Sequence, residues 1–465
     1  MKRLFVAVAV GAALVVAPAA HAAYTTTEHV VTMDDGVGIA ATLYHPSGLV
    51  GPAPAVMVFH GLGGNRQSMA PIAAVLADHG YLVLTFDFRG HGSSGGLFTG
   101  LGARELADVA ILRESWLPAN APLDGDKVGA WALSLGGGAA LRAAGEGTPF
   151  RALEVFETYT DLYEALVPQG LPKSGAIFQF LGAVPADRQA PELLVVRDLV
   201  SHGDIAGLQT FSQARSSRHL LPRGYPPTLF FQGRRDFAFG LEQGIGGWRA
   251  HGGQKALYIG PFGHAPSRFP GPDFEPMMQR SLRWFDQHVR GVQPVVGQPP
   301  VELAAENGTT VRASSALPQT VTSRWTFPAS ATIGAAGKVV RRARTARLLE
   351  TFGPPVVRAR VSSTTGWTHL VAVLVARTPN GEEVVVSEGG VPTRLGARPR
   401  NVTIRLISQV TRIPAGSRLE LTLAGTSTAQ NPGNLLYLVP VPARARLTVR
   451  NVSLAVPALR VPVSR

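Results

Sequence analysis

The alternation of apolar and helical segments along the N-terminal two thirds of the chain limits its fold more than any other feature. Segments that are apolar on both faces predict strands buried in a sheet, and the stretches between them have the period of amphipathic helices. This order indicates an α/β fold with a mostly parallel sheet and helices on both of its faces. The predicted strands lie at residues 55–59, 81–86, 127–133, 228–231 and 256–259, and the predicted helices at 68–79, 103–116 and 273–289.

Two regions depart from this pattern. Residues of about 161–222 are mixed, partly helical and interrupted by prolines, which predicts a cap inserted over the sheet. Beyond a proline-containing linker at 292–300, short runs alternate apolar and polar residues and are separated by turn residues, which is typical of an all-β sandwich or jelly roll. We therefore predict an α/β domain over residues 23–298 and a β domain over 299–465.

The first 22 residues have the pattern of a signal peptide. A basic start precedes an apolar run at residues 4–16, and the sequence AHA at 20–22 provides the small residues that signal peptidase recognises. The run is short for a transmembrane helix, although a membrane anchor is the alternative interpretation. Because the chain has no cysteine, it can form neither a disulfide nor a lipid-anchored N-terminus. The sequence thus predicts a secreted or periplasmic protein.

The basic charge is concentrated in the β domain. From residue 301 onward, 21 arginines and lysines face 7 glutamates and no aspartate, whereas the whole chain has a net charge of +13. One interpretation is contact with anionic cell-surface polymers, and the other is the arginine-rich codon usage of a high-GC genome. The sequence has no basic helix with interleaved aromatic residues, so nucleic acid is not an expected partner.

The most specific motif is ALSLGG at residues 132–137, between a predicted strand and a helical run. A nucleophile for acyl transfer must be exposed on a tight strand-to-helix turn, which needs very small residues two positions before and after it. Ala132 and Gly136 meet this need, and Ser134 is therefore the candidate nucleophile. An ordinary glycine-rich helix start is the alternative when the motif is taken alone.

The neighbouring loop supplies candidate oxyanion donors. HGLGG at residues 60–64 ends an earlier strand, where α/β-hydrolases take a backbone N–H for the oxyanion hole. We predict that the hole consists of the amides of Leu62 and Leu135. The same loop does not fit a dinucleotide motif, because Arg66 stands where the third glycine would be needed. We expect no cofactor.

The candidate acid and base also follow predicted strands. Asp236 comes after the strand at 228–231, and His264 comes after the strand at 256–259. The order Ser, Asp, His is that of α/β-hydrolases, and the carboxyl ends of parallel strands are where such sites form. Ser134, Asp236 and His264 are thus the predicted catalytic triad. We find no metal-ligand spacing and predict no metal, and we interpret His60 and the turn at 87–92 as structural.

The chain resembles the family of Xaa-Pro dipeptidyl-peptidases, cocaine esterases and α-amino-acid ester hydrolases, the S15-like peptidases. The resemblance rests on the opening hairpin at 33–46 with its DDG turn, and on the closing helix RWFDQHVRG at 283–291. The β-rich tail with IPAGSRL at 413–419 and NP at 431–432 adds to it. The resemblance implies an α/β-hydrolase with a C-terminal jelly roll that packs beside the active site.

Some positions differ from the family pattern and affect the expected activity. The family has glycine where this chain has Ala132, tyrosine where it has Leu135, and an oxyanion-hole tyrosine that the loop at 60–64 lacks. A dipeptidyl-peptidase also needs an acid for the amine of its substrate, and the candidates are Glu154, Glu157 and Asp161. We therefore expect hydrolysis of a small ester or amide. The alternatives are release of Xaa-Pro dipeptides from short peptides, and a non-catalytic binding protein on the same fold.

Overall fold

The structure is a computed structural model that describes residues 24–293, 297–363, 366–393, 396–427 and 436–463. The predicted signal peptide, the linker residues 294–296 and the NP motif at 431–432 lie outside the described residues. No helix among the described residues is long and apolar enough to cross a membrane.

Ten of the described strands form one large sheet. These strands are β1 (Tyr24–Thr32), β2 (Gly38–Pro46), β3 (Ala53–Phe59), β4 (Leu82–Phe86), β5 (Leu123–Leu133), β6 (Ala152–Phe156), β7 (Thr228–Gly233), β8 (Lys255–Gly260), β9 (Val301–Ala304) and β10 (Val311–Ser314). Their order is β1-β2-β4-β3-β5-β6-β7-β8-β9-β10. The strands from β4 to β9 pair in parallel, and β1, β2 and β10 are antiparallel additions at the edges.

Both faces of the central strands are buried, as their apolar sequences predict. In β3, Met57 and Phe59 belong to one hydrophobic cluster, and Val56 and Val58 belong to a cluster on the opposite face. Successive side chains of a strand point to opposite faces, so a strand covered by helices on both sides must be apolar throughout. The helices are α1 (Ala70–Asp78), α2 (Ala103–Ala110), α3 (Leu117–Asn120), α4 (Leu135–Gly145), α5 (Leu162–Leu166), α6 (Ser174–Gly182), α7 (Pro191–His202), α8 (Ile205–Gln213), α9 (Leu241–Ala250) and α10 (Phe274–Phe285).

Helices α5 to α8 lie between β6 and β7 along the chain and occupy the region predicted as a cap. The boundary predicted at 298/299 differs from the structure, because β9 and β10 are part of the large sheet. Leu257 of β8 pairs with Val301 of β9, and all four residues of β9 are buried. A strand of this length is too short for its pattern to show which sheet it joins. The linker at 292–300 therefore predicts the domain boundary at the wrong position.

The remaining described strands form the β domain, which begins with β11. They are β11 (Thr320–Phe327), β12 (Ala331–Gly334), β13 (Lys338–Arg344), β14 (Leu349–Glu350), β15 (Val356–Ser362), β16 (His369–Arg377), β17 (Glu383–Pro392), β18 (Arg400–Arg405), β19 (Arg412–Ile413), β20 (Arg418–Ala424) and β21 (Arg446–Leu459). One antiparallel sheet has the order β11-β21-β15-β18 with β12 beside β21, and another has the order β13-β20-β16-β17. A shared apolar core fills the space between them, which confirms the predicted all-β fold.

Strand β16 shows how the β domain joins the α/β domain. Leu370, Ala372 and Leu374 face the core of the β domain. The alternate residues Val371 and Val373 also lie in an apolar cluster, which they share with residues of the α/β domain. A strand buried on both faces is an inner layer, so the β domain packs against the α/β domain over an apolar surface. The cluster on this surface comprises Leu171, Ala176, Phe237, Val371, Val373, Val375, Val385, Ile407, Leu436 and Tyr437.

Candidate active site

Ser134 lies on a sharp turn between β5 and α4. Its backbone has φ 52° and ψ −113°, a conformation that residues other than glycine rarely adopt. The turn is held by two hydrogen bonds from β6 and the residues after it. The amide of Ser134 donates to the carbonyl oxygen of Phe156 at 2.8 Å, and Thr158 Oγ1 donates to the carbonyl oxygen of Ser134 at 2.6 Å. This is the geometry that exposes a serine hydroxyl at the C-terminal edge of a sheet.

Gly136 explains the small residue that the motif needs after the serine. A Cβ atom at this position would lie 2.7 Å from the Cβ of Phe59 and 2.8 Å from the carbonyl oxygen of His60. Real Cβ contacts are longer, so only glycine lets α4 begin so close to β3.

His264 lies between Ser134 and Asp236. Its Nε2 atom is 2.8 Å from Ser134 Oγ, and its Nδ1 atom is 2.7 Å from Asp236 Oδ2. The Asp236 carboxylate is fully buried and also accepts from the amides of His264, at 3.0 Å, and Phe239, at 2.8 Å. The structure therefore brings the three predicted residues into one hydrogen-bonded chain. With Asp236 accepting from Nδ1–H, the lone pair of Nε2 faces the serine hydroxyl.

The charges around His264 favour its protonated form. Burial by itself lowers the pKa of the imidazole, but the carboxylates of Asp236 and Glu157 outweigh burial and raise this pKa to about 9. A histidine with a raised pKa is a stronger base in its neutral form, and its imidazolium is better stabilised when it takes a proton.

Residues from two other parts of the molecule hold the loop at 234–240 that carries Asp236, which we call the acid loop. Gln409 of the β domain accepts from the Asp236 amide at 2.8 Å and donates through Nε2 to the Asp236 carbonyl oxygen at 2.7 Å. Lys173 of the cap donates through Nζ to the carbonyl oxygens of Phe237 and Ala238, at 2.9 and 2.7 Å. Burial lowers the pKa of Lys173 to about 8. The sequence did not predict either residue, and neither carries a local motif that could have revealed it.

The predicted oxyanion donors are the backbone amides of Leu62 and Leu135. Leu62 and Leu135 line the same cavity as Ser134, and Leu135 is the first residue of α4. Among the described residues, neither amide has a hydrogen-bond acceptor, so both are free to donate to an oxyanion. His60 is buried and accepts through Nε2 from the Phe88 amide at 3.0 Å, while its Nδ1 atom lies 2.7 Å from the Gly61 carbonyl oxygen. Burial lowers the pKa of His60 to about 3, so the ring is neutral and braces this loop, in agreement with the structural interpretation.

The cavity at Ser134 has a volume of about 90 Å³ and is almost entirely apolar. The cap helices α5 to α8 supply more than half of its wall, and no acidic side chain lines it among the described residues. Its lining residues are Leu62, Phe98, Gly100, Ser134, Leu135, Tyr159, Leu162, Leu166, Ile177, Phe180, Leu181, Leu193, Val196, Phe211 and Phe239.

The three acids considered for binding a substrate amine lie elsewhere. Asp161 caps the N-terminus of α5 by accepting from the Glu164 amide at 2.9 Å. Glu154 is fully buried within β6 and approaches Ser281 of α10. Glu157 lies beside the triad and does not line the cavity. None of the three is therefore placed to hold an ammonium group in the cavity at Ser134.

An acidic side chain, Glu157, lies close to two members of the triad. Ligand atoms of Glu157, Asp236 and His264 lie within 4.8 Å of one another, which is close enough for a metal ion. However, both ring nitrogens of His264 are already hydrogen-bonded, so a metal could bind only by displacing Ser134 or Asp236.

In the turn at 87–92, Asp87 pairs with Arg66 at 2.5 Å, as expected of a structural turn.

Residues 35–266 match the family model of the X-Pro dipeptidyl-peptidase (S15 family). The chain belongs to the S15-like α/β-hydrolase family. Part of this S15-like chain is also 32% identical to an uncharacterised 31.7 kDa protein of Escherichia coli, encoded in the traX-finO intergenic region, over 110 residues. The match covers 23% of this chain and 38% of that relative.

Solved structures share the fold of this S15-like hydrolase over nearly its whole length. A CocE/NonD family hydrolase from Staphylococcus aureus is 15% identical, with a TM-score of 0.72 and 94% of each chain covered. An α-amino acid ester hydrolase is 15% identical, with a TM-score of 0.67 and coverage of 96% of this chain and 98% of that one. An aminopeptidase from a marine sediment Thaumarchaeota archaeon is 14% identical, with a TM-score of 0.67 and coverage of 94% and 97%. At these identities, the likeness concerns the fold alone.

Proposed function

We propose that the protein is a serine hydrolase that cleaves carboxylic esters of short apolar acids. The observation that carries the proposal is the hydrogen-bonded chain from Ser134 through His264 to Asp236, which ends at an apolar cavity. A nucleophile, a base in hydrogen-bond contact with it and an acid that orients the base are the parts that acyl transfer needs.

In the first half of the reaction, Ser134 Oγ attacks the acyl carbon while His264 Nε2 takes the hydroxyl proton. Asp236 keeps the proton of His264 on Nδ1 and stabilises the imidazolium that forms. The amides of Leu62 and Leu135 receive the oxyanion of the tetrahedral intermediate. The imidazolium then donates its Nε2 proton to the leaving alcohol, and the acyl group remains on Ser134.

In the second half, water attacks the acyl-enzyme. His264 removes a proton from the water, the second tetrahedral intermediate forms on the same two amides, and its collapse returns the proton to Ser134 Oγ. The carboxylic acid leaves, and the enzyme is restored without an added cofactor.

The cavity supports a short acyl group. An apolar cavity of about 150 Å³ accommodates benzene, whereas the cavity at Ser134 is about 90 Å³. An unbranched acyl chain of about two to four carbons fits the smaller volume. Burial of such a chain against the apolar wall is favourable, whereas burial of a charged group there without a partner is costly.

The family match favours a second candidate, the release of dipeptides from Xaa-Pro N-termini. This activity requires a negative charge near the substrate's ammonium group, and the described lining of the cavity provides none. The third candidate, a non-catalytic binding protein, does not explain why the three residues keep hydrogen-bond distances. We therefore rank ester hydrolysis first.

The test is a substrate panel assayed with the wild type, with Ser134→Ala and with the exposed Ser93→Ala as a control. The panel consists of p-nitrophenyl acetate, butyrate and octanoate, together with Ala-Pro p-nitroanilide. We expect the wild type and Ser93→Ala to prefer the two short esters, and Ser134→Ala to lose their turnover. Preference for the anilide would replace our proposal by the dipeptidyl-peptidase, and no turnover of any substrate would favour the binding protein.

We further propose that the protein is exported and that one face of its β domain contacts anionic cell-surface polymers. The strands β11, β12, β15, β18 and β21 contain seven arginines and no acidic residue. Arg324, Arg358, Arg360 and Arg450 are exposed on one face of this sheet. Cell fractionation tests the export, which rests on the sequence of residues 1–22. Salt-sensitive sedimentation with purified cell walls tests the contact, and replacement of these four arginines by serine should abolish it.

A further inference from the structure

Glu157 is a buried carboxylate in a strained position next to the triad. It directly follows β6, is 4% exposed and has φ 39°, in the left-handed region that residues other than glycine rarely adopt. Its amide donates to the carbonyl oxygen of Phe231 on β7 at 2.8 Å, which fixes the backbone in this conformation. Such strain persists only where the surroundings impose it, and it is concentrated at functional sites.

The side chain of Glu157 faces the imidazole. One of its carboxylate oxygens, one of Asp236 and a ring nitrogen of His264 lie within 4.8 Å of one another. Glu157 Oε2 is buried and has no hydrogen-bond partner among the described residues. A buried oxygen without a partner costs free energy, so the carboxyl group is not there for the stability of β6.

The charge of this carboxyl group changes in the range where the enzyme would work. Burial raises the pKa of Glu157, an imidazolium at His264 lowers it and the Asp236 carboxylate raises it, and the net result is a pKa of about 7. The charged groups around His264 are Asp236, Glu157 and Lys173. Of these, Lys173 is held by two carbonyl oxygens of the acid loop and acts in the opposite direction.

We propose that Glu157 is a positioning residue that acts through His264, adding a second negative charge beside the imidazolium that forms when His264 takes the proton of Ser134. This inference rests on the proposed function. The Ser134 proton still moves to His264 Nε2, and Asp236 still fixes the tautomer. The contribution of Glu157 is to make the neutral imidazole a stronger base, and it grows as Glu157 loses its own proton.

The experiment compares Glu157→Gln with Glu154→Gln. Glu154 is the matched control because it is an equally buried glutamate three residues earlier, but it faces α10 and not the triad. The pKa of His264 is measured by NMR on histidine-labelled protein, with its signal assigned from its loss in His264→Gln. The pH profile of kcat/KM for p-nitrophenyl butyrate is measured on the same variants.

We expect Glu157→Gln to lower the pKa of His264, and with it the acid limb of the kcat/KM profile, by about half a pH unit or more. Glu154→Gln should leave both unchanged. Unaltered titration of His264 in a folded Glu157→Gln protein would overturn the inference, as would an equal shift in Glu154→Gln. If Glu157→Gln does not fold, Glu157→Asp replaces it, because the shorter side chain withdraws the charge, and the same fall in pKa is expected.

The NMR titration needs no turnover, so the two proposals can fail separately. A fall in the pKa of His264 in a protein without esterase activity would support the coupling and refute the function. Esterase activity with an unchanged titration of His264 would support the proposed function and refute the coupling.

Discussion

Gln409 offers a direct test of how far the β domain takes part in the site. Its side chain is 1% exposed and makes two hydrogen bonds, one with the Asp236 amide and one with the Asp236 carbonyl oxygen, although 173 positions separate the two residues. Replacement of Gln409 by alanine leaves a buried N–H and a buried C=O without partners. Each orphaned group costs about 1–3 kcal/mol, so we expect the acid loop to shift or to admit water.

A shift of this loop moves the carboxylate that holds His264. A displacement of about 1 Å in a catalytic group can cost on the order of 100-fold in rate. We therefore expect Gln409→Ala to lower kcat by about 10- to 100-fold. Because Gln409 does not line the cavity, KM should stay within about twofold of the wild type.

The control is Gln169→Ala. Gln169 joins the cap to the β domain by an equivalent pair of bonds, accepting from the Arg405 amide at 2.9 Å and donating to the Arg405 carbonyl oxygen at 2.7 Å. Its described hydrogen bonds go to Gly390 and Arg405 and not to the acid loop, so its loss should affect urea unfolding but not kcat. The reasoning is refuted if a folded Gln409→Ala protein keeps the wild-type kcat, or if both variants lose kcat equally.

Three further predictions concern the base, the acid and the β domain. Burial lowers the pKa of His264, but the nearby carboxylates outweigh burial and raise this pKa to about 9. Because His264 must be neutral to act as the base, kcat/KM should rise with pH through an apparent pKa above 7. A flat stopped-flow profile between about pH 6 and 9 would contradict this. Asp236→Asn should lower kcat by roughly 10⁴-fold by favouring the wrong tautomer of His264, and burst kinetics showing unimpaired acylation would contradict it. Truncation after Ser314 keeps β10 and removes the β domain. It should expose the apolar cluster around Phe237 and give an insoluble or inactive protein. A soluble truncated protein with the wild-type kcat would show that the β domain is a dispensable module.

The parts of the fold and site that the sequence predicts are those encoded locally. Apolar runs mark the buried strands, and the strand predicted at 228–231 lies within β7. Ser134, Asp236 and His264 could be selected because each follows the end of a strand of a parallel sheet, and the sheet itself gathers such positions at one edge. Gly136 was predicted for a steric reason, and the contacts with Phe59 and His60 give that reason its geometry.

The remaining features depend on contacts between distant parts of the chain. Gln409 and Lys173 meet the acid loop only because the β domain and the cap pack around it, and nothing near them in sequence indicates this. The strain at Glu157 is a property of its backbone, so the sequence shows only a carboxylate that could bind a substrate amine. The short strand β9 joins the large sheet by pairing with β8, and β10 joins it by pairing with β9, which local patterns do not reveal.

The central claim, that Ser134 is the nucleophile, is tested most directly by labelling with an active-site fluorophosphonate. We expect intact mass spectrometry to show one label per chain, peptide mapping to place it on Ser134, and esterase activity to fall in proportion to labelling. Ser134→Ala should take up no label and lose roughly 10³-fold or more in kcat, with unfolding like that of the wild type. A label on another serine, or full esterase activity in Ser134→Ala, would contradict the account.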